Sequence, residues 1–404
     1  METLIHIANY IIEVIEYLVF VYFGASCIYV FVFALAGNFY KPIKCKQKQK
    51  QNKMAVLIPA YKEDKVIIEV AISALTQNYP KDKFDVVVIA DSLKDQTITT
   101  LKSLPIILIE VLFDKSTKSK ALNKAMASLS NSYDYAIVLD ADNIMELNFL
   151  RKMNRAFENG FQVVQGHRKA KNLNSSYAIL DAASEEINNH IFRLGHRALG
   201  LSSGLIGSGM GFNYSLFKSL MANVYAIGGF DKELEFKLAE NKIEIEYLQD
   251  AVVLDEKIQK PIDFTNQRRR WLSTQVIYLK KYYRRGWKEL LLNRNINFFD
   301  KVCQMIIPPR ILLLGITFSI ALIYSIMVFV LNTKPNVNVY FWLVILIVTI
   351  ASFLLAIPKS FYNTGTLKAM LSLPSAFIRM ALLLFKLKGA NKNFIHTTHG
   401  ATEN

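Results

Sequence analysis

Apolar residues fall along the chain in two distinct patterns. Near residues 17–37, 311–331 and 340–357 they form nearly uncharged stretches, each long enough for a helix to cross a hydrocarbon layer about 30 Å thick. A further stretch, "AMLSLPSAFIRMALLLF" (369–385), is apolar but carries Pro374 and Arg379, which predicts a helix lying at the interface in preference to another span. The second pattern lies between the first two spans. "MAVLIPAY", "FDVVVIAD" and "DYAIVLDAD" are short runs rich in Val, Ile and Leu, each closed by acidic or turn residues. Such runs predict strands buried on both faces, hence a parallel sheet. Helical patterns, "EDKVIIEVAISALTQN" and "SKALNKAMASLSN", alternate with them and argue for βαβ units. The expected fold is α/β, with a mostly parallel sheet flanked by transmembrane helices. In open sheets of this kind ligands bind beyond the carboxyl ends of the strands. The strand ends "PAYKE", "AD" (90–91) and "DAD" (140–142) are therefore expected to converge on one cleft.

Composition and charge sharpen this picture. The chain is 52% hydrophobic, with a net charge of +15. "ALAG" (34–37) resembles a signal-peptide cleavage site, but Glu13 and Glu16 stand where a basic n-region belongs, and the apolar stretch is too long. The basic run "KPIKCKQKQKQNK" follows the first span; by the positive-inside rule it faces the cytoplasm and leaves the short N-terminus outside. This run, "KKYYRR" (280–285) and "KLKGANK" (386–392) all flank apolar segments, where cations meet anionic headgroups. Membrane lipids are thus expected partners, and nucleic acid is not. The scattered Cys27, Cys45 and Cys303 form neither a disulfide framework nor a zinc pattern.

Candidate chemistry gathers on the strand ends and downstream of them. Asp140 and Asp142 in "VLDAD" sit at i and i+2, so at a strand end they point the same way. There they could address Mg²⁺ or Mn²⁺, hard ions that take oxygen ligands and bridge diphosphate oxygens; the plainer alternative is a helix cap at Asp142 or Asn143. Asp91 ends another buried run and could accept a hydrogen bond from a nucleobase or ribose, or serve only as a turn aspartate. Lys120 lies near a helix start, a place suited to phosphate, or is a solvated surface lysine. "GLIGSGMGF" (204–212), which includes Gly209, has four glycines but the spacing of neither a dinucleotide fingerprint nor a P-loop; it is expected to be a loop lining the acceptor cleft. "GGFDKELEF" (228–236) offers Asp231, Glu233 and Glu235, and transfer to a hydroxyl needs a base within reach of it. If the segment is helical, Asp231 and Glu235 share a face and Glu233 looks elsewhere. An acidic helix start is the alternative. In "TNQRRRWLSTQ" (265–275) the arginines could hold a leaving diphosphate, with Trp271 as a stacking face for a sugar. Arginines snorkelling at the lipid surface explain "KKYYRR" better than they explain the Gln-x-x-Arg-Trp order.

In their order along the chain, "IPAYKE", "VIAD", "DAD", the glycine-rich segment, "DKELE" and "QRRRW" resemble the membrane-embedded family 2 glycosyltransferases, a group that includes cellulose, chitin and hyaluronan synthases. The resemblance covers roughly residues 54–275 and the flanking spans. It implies a GT-A fold, a nucleotide-sugar donor that is usually UDP-linked, a divalent metal ion, and inversion at the anomeric carbon. Carried over by position, Ala60, Tyr61, Glu63, Asp91, Lys120 and Asp140 would serve the nucleotide, and Asp140 and Asp142 the metal. Gly209, Gln267, Arg268, Arg270 and Trp271 would serve the diphosphate and acceptor. The family's usual Glu-Asp at the base position is replaced here, aligning Glu233 with the aspartate and leaving the base between Glu233 and Asp231. Lys62 stands where the family has Asn. The tail "NKNFIHTTHG" is similar to C-terminal threonine-bearing motifs that contact the active site.

The expected organisation is an N-terminal transmembrane segment (1–40), a basic linker (41–53) and a GT-A domain (54–275). Interfacial helices (276–310), two spans (311–358) and a final interfacial or spanning helix with its tail (359–404) follow. The expected activity is extension of a polysaccharide at the cytoplasmic face of a membrane, the inner membrane of a bacterium. The alternative is transfer of a single sugar to a lipid acceptor. Few spans follow the catalytic domain, which weakens export through one chain and leaves room for a homo-oligomer or an export partner.

Overall fold

Along the first strand, Met54, Val56, Ile58 and Ala60 are buried against one helical layer, and Ala55 and Leu57 against another. This double burial is what the unbroken apolar runs demand. The computed structural model describes residues 2–43, 50–226, 228–258 and 261–387; the tail motif at 391–400 lies outside them. In chain order the elements are α1 (Glu2–Gly37), β1 (Met54–Tyr61), α2 (Ile67–Leu75), β2 (Phe84–Asp91), α3 (Asp95–Lys102), β3 (Ile107–Val111), α4 (Lys118–Ser128) and β4 (Tyr135–Val138). Then come β5 (Ile144–Met145), α5 (Phe149–Glu158), β6 (Val163–Ala170), α6 (Ser176–Asn189), α7 (His196–Ala198), β7 (Met210–Asn213), α8 (Tyr214–Met221), α9 (Phe230–Glu240) and β8 (Ile245–Asp255). The rest is helical: α10 (Pro261–Asn293), α11 (Ile296–Ile306), α12 (Arg310–Phe329), α13 (Val339–Ala356), α14 (Thr364–Met370) and α15 (Leu373–Leu383). The expected domain boundary at 275 falls inside α10, which continues without a break.

The eight strands run in the order β3-β2-β1-β4-β7-β6-β8-β5. The expected mostly parallel sheet is in fact mixed. β3, β2, β1 and β4 are parallel, as are β6 and β8, but β7 is antiparallel to both β4 and β6, and β5 is antiparallel to β8. The difference lies in the glycine-rich segment, whose end forms β7 instead of a loop. At Gly211 a side chain would meet the ends of Phe157, Ile137 and Met153 and force them to shift, so glycine gives close packing where an apolar residue would otherwise have marked the strand. One helical layer, with α2, α3 and α5, packs on one face of the sheet; α4, α8 and α9 pack on the other.

By length and composition, α1 (from His6), α12 and α13 can each cross a membrane. The 369–385 segment holds the end of α14 and all of α15; the pair α14 and α15 is bent by 45° and would make a fourth span if the two are taken as one. Pro374 sits in the first turn of α15, where a missing N–H costs nothing. The C-terminal half of α1 is fastened to the sheet domain. The Phe33 ring stacks on His196 at 3.7 Å between centroids, and His190 Nε2 lies 2.8 Å from the Ala34 carbonyl oxygen. The partner segment is a π-helical turn, His190–Gly195, and Gly195 is the point of closest approach, since a Cβ there would run into the backbone of Phe33. Gly195→Ala is therefore expected to lower stability by about 1–3 kcal/mol, seen as a fall in Tm of the detergent-solubilised chain.

Candidate active site

β1 and β2 end level with one another, with Tyr61 beside Asp91. The next residues, Lys62 and Ser92, both turn the chain at φ 58°, the left-handed region in which Asn is more at home than Lys. Asp91 is buried and accepts a hydrogen bond from Ser92 Oγ at 3.0 Å. β4 stops at Val138, so Asp140 and Asp142 lie beyond the strand, in a turn closed by Asn143 N–H donating to the Asp140 carbonyl at 3.1 Å. The turn, not strand alternation, brings both carboxylates to one cavity. Asp140 N–H donates to Ser208 Oγ at 2.9 Å, and its carboxylate takes the Lys118 ammonium, which also donates to the Gly207 carbonyl at 2.7 Å. The buried Asn143 amide, oriented by its hydrogen-bond network, donates to Asp142 and Asp255 at 3.0 Å each and accepts from Ser208 Oγ at 2.7 Å.

A cavity of about 580 Å³ opens beyond these strand ends. Its walls bring together Ala60, Tyr61, Glu63, Asp91, Asp140, Asp142, Asp231, Gln267, Arg268, Arg270 and Trp271. Lys120, Gly209 and Glu233 are not on it. α4 begins at Lys118, capped by the Thr117 hydroxyl, so Lys118 reaches the cavity while Lys120 Nζ folds back to the Lys115 carbonyl at 2.8 Å. Gly209 uses its carbonyl to accept from Gly166 N–H at 2.7 Å; Gly204 and Gly207 are the glycines of that segment that line the cavity.

The base candidates separate along α9, which starts at Gly229 in a left-handed turn (φ 71°). A Cβ at Gly229 would collide with Thr274 of α10, so glycine lets the start of α9 lie directly against that helix. Asp231 then faces the cavity, while Glu233 points to Lys281 at 3.7 Å. Glu235 is buried, accepting from Leu205 N–H at 2.7 Å and Lys232 Nζ at 2.6 Å. Loss of water raises the Asp231 pKa, and Glu235 adds to the rise against the opposing pull of Lys232.

Gln267, Arg270 and Trp271 stand at i, i+3 and i+4 on α10, one helical face, and all three line the cavity. Burial lowers the Arg270 pKa. Arg268 is buried, ion-paired with Asp181 of α6 and stacked between Phe264 and Trp271, with its guanidinium 4.9 and 4.4 Å from their ring centres. Arg269 points the other way, donating to the Lys386 carbonyl at 2.6 Å.

Several cavity residues had no sequence signal. Arg168 of β6 and Lys257 both pair with Glu185 of α6, and Lys257 also pairs with Asp255 at 2.6 Å. Arg193 and Arg310 are also on the wall. Asp181, Ser184, Glu185 and Asn188 do share a helical spacing, which could have marked a polar inward face of α6. Among the described residues no group of three or more His, Cys, Asp or Glu side chains is arranged to hold a metal ion. Asp140 and Asp142 supply two carboxylates, a fitting set for Mg²⁺ or Mn²⁺, which commonly take one or two from protein and the rest of their oxygens from phosphates and water.

The sequence profile described as "Glycosyltransferase like family 2" matches residues 51–274. Among curated proteins none matches. Among solved structures, mannosyltransferase PcManGT from Pyrobaculum calidifontis, in complex with GDP-Man and Mn²⁺, is similar with a TM-score of 0.54 at 18% identity, covering 85% of this chain and 97% of that one. Glucosyl-3-phosphoglycerate synthase from Mycobacterium tuberculosis, with Mn²⁺, UDP and glucosyl-3-phosphoglycerate, aligns with a TM-score of 0.38 at 18% identity over 53% of this chain and 74% of that one. The likeness to PcManGT establishes a GT-A-like α/β fold built on the mixed sheet.

The arginines of α10 are expected to separate by function. Arg268→Ala leaves Asp181 buried without its partner and should cost about 3–5 kcal/mol of stability, measured by denaturant unfolding. Arg270→Ala should unfold at nearly the wild-type denaturant concentration yet slow sugar transfer. Equal unfolding midpoints for the two variants would contradict the division.

Proposed function

The chain belongs to the family 2-like glycosyltransferases, and from that premise we propose that it inverts the anomeric centre of a nucleotide sugar while passing the sugar to an acceptor held at a membrane. The observation that carries this reading is one cavity lined by Asp140, Asp142, Asp231, Gln267, Arg270 and Trp271. Asp140 and Asp142 would hold a divalent ion, which supplies positive charge to the donor's diphosphate. Asp91 and Tyr61, at the paired strand ends, suit the nucleoside. Asp231 takes the proton of the acceptor hydroxyl, and its raised pKa makes it a stronger base than an ordinary carboxylate. The freed oxygen attacks the anomeric carbon as the bond to the diphosphate breaks on the opposite face. Lys118 and Arg270 are placed to meet the charge that leaves. Resemblance suggested a UDP-linked donor, and PcManGT holds GDP-Man; both nucleotide types belong in the first screen.

We read the acceptor as lipid-borne, because the same cavity is also walled by Val30 of α1, Ile311 of α12 and Met380 of α15, apolar residues on or beside candidate spans. A polymer acceptor is the second reading, favoured by Gln267, Arg270 and Trp271 standing together on the cavity wall. In either case the basic flank after α1 favours a cytoplasmic catalytic domain. Product length from radiolabelled nucleotide sugar separates the two: a single lipid-soluble product supports the first, and a ladder the second.

Two variants test the chemistry. Asp142→Asn should abolish turnover with Tm and membrane association retained; undiminished transfer would overturn the metal assignment. Asp231→Asn should lower kcat by about 10²–10⁴-fold, while Glu233→Gln should change it little. Because the active base is the deprotonated form and its pKa is raised, kcat should climb with pH along an acid limb lying above that of an ordinary aspartate. A kcat–pH profile with no such limb, or a dead Glu233→Gln beside an active Asp231→Asn, would move the base elsewhere.

A further inference from the structure

Most of the buried cations on the cavity wall have a carboxylate of their own. Arg168 and Lys257 share Glu185 and Asp255, and Arg268 has Asp181. Arg193 and Arg310 differ. Arg193 is 5% exposed, and its guanidinium donates only to neutral oxygens, Asn189 Oδ1 at 2.9 Å and the Gly204 carbonyl at 3.1 Å. Arg310, half-buried, donates to Ser184 Oγ at 2.6 Å. Neither forms an ion pair among the described residues. Arg268 and Arg193 act on Arg310, and so do the carboxylates of Asp181 and Glu185, which are already paired with Arg268, Arg168 and Lys257. Arg268, itself 6% exposed, keeps its Nε without a hydrogen-bond partner. Burial pulls the Arg193 pKa down, more than Tyr247, Glu185 and Glu235 hold it up. Desolvated cations with no carboxylate in contact are costly, and an anion that completes the site would reduce the cost through charge-assisted hydrogen bonds.

The surroundings say what kind of anion. Phe192, Ile307, Ile311 and Met380 line the same cavity, and Arg310 opens α12, a helix able to cross a membrane. An anion there meets charge on one side and apolar wall on the other. We propose that Arg193, Arg310 and Ser184 form a subsite for the phosphate that joins a lipid chain to the hydroxyl-bearing head group of the acceptor. This rests on the transferase reading above, since the head group is what would reach Asp231. In the transfer step the acceptor hydroxyl gives its proton to the Asp231 carboxylate, and its oxygen forms the new bond to the anomeric carbon. The donor's bond from that carbon to oxygen breaks, and the electron pair leaves on the nucleoside diphosphate. The lipid-linked phosphate is held throughout and is chemically unchanged.

The test uses the full chain in detergent, titrated calorimetrically with dodecyl phosphate, dodecanol and inorganic phosphate, and separately with UDP and GDP plus Mn²⁺. Dodecyl phosphate should bind the wild type, and Arg310→Gln should weaken it about tenfold or more, the scale of one lost charge-assisted contact. The tighter nucleotide of the two should bind both proteins alike. Equal binding of dodecyl phosphate to wild type and variant overturns the subsite. Dodecanol binding as tightly as dodecyl phosphate would reduce it to an apolar groove, and inorganic phosphate doing so would make it a site for the free ion; both overturn the lipid-phosphate assignment. Parallel loss of nucleotide binding in Arg310→Gln would return the arginine to the donor's diphosphate and overturn it too. Should Arg310→Gln fail to fold, Ser184→Ala is judged by the same criteria, with a loss of about threefold expected for a neutral hydrogen bond. Wild-type protein that binds dodecyl phosphate but no nucleotide would sink the transferase reading and leave the subsite standing; nucleotide binding without dodecyl phosphate binding would do the reverse.

Discussion

Buried charge has to be matched, and that requirement builds the catalytic face. Arg168 at the end of β6, Asp181 and Glu185 on α6, Asp255 at the end of β8, Lys257 just after it and Arg268 on α10 are tied into ion pairs between elements distant in sequence. Burial alone would raise the Glu185 carboxyl, but Arg168 and Lys257 more than reverse this and hold it well below the usual range. Desolvation would likewise pull Lys257 down, yet Asp255 and Glu185 push it above its ordinary value. Such pairs add little net stability over apolar packing, but once buried they are expensive to break. Their effect is therefore geometric. The pairs hold α6 and α10 over the strand ends, since moving either helix away would break them.

This explains what the sequence could and could not reveal. The strands β1, β2 and β4 and the three long apolar helices were legible because burial on both faces, or in a bilayer, demands unbroken apolar runs of characteristic length. The carboxylates after those strands were legible for the same reason, as the first polar residues past a buried run. β7 was not, because Gly211 packs closely on Phe157 and Met153, and a four-residue strand with only Met210 and Phe212 apolar is too short to stand out in a glycine-rich segment. Lys118 was missed by two residues: which of two lysines faces the cavity depends on where α4 begins, and the Thr117 cap sets that. The ion-paired residues of β6 and β8 were invisible because their role is defined by partners far along the chain, and on α6 only the i, i+3, i+4 and i+7 spacing of Asp181, Ser184, Glu185 and Asn188 hinted at an inward polar face.

The separation of Asp231 from Glu233 follows from the same logic of buried charge, carried by an ion pair that joins α9 to α11. Glu235 and Lys301 are each 1% exposed and lie 3.8 Å apart. The Lys301 ammonium also donates to the Ser202 and Ser203 carbonyls at 2.9 and 2.8 Å, and Lys232 and Leu205 N–H complete the shell of Glu235. Desolvation would raise the Glu235 carboxyl, but Lys232 and Lys301 together hold it lower than normal, so it stays charged. A residue so fully engaged cannot accept a proton from a substrate. It can fix the rotation of α9 about its axis, and with that rotation set, the residue one turn earlier is Asp231. Asp231 inherits the cavity-facing position, where Lys232 and Lys118 only partly offset its burial, and its pKa moves up where that of Glu235 moves down. The alternating acids of "DKELE" thus divide their work by helical geometry: one sits in the core, one meets Lys281 on the neighbouring helix, and one is left facing the cavity as a carboxylate with a raised pKa.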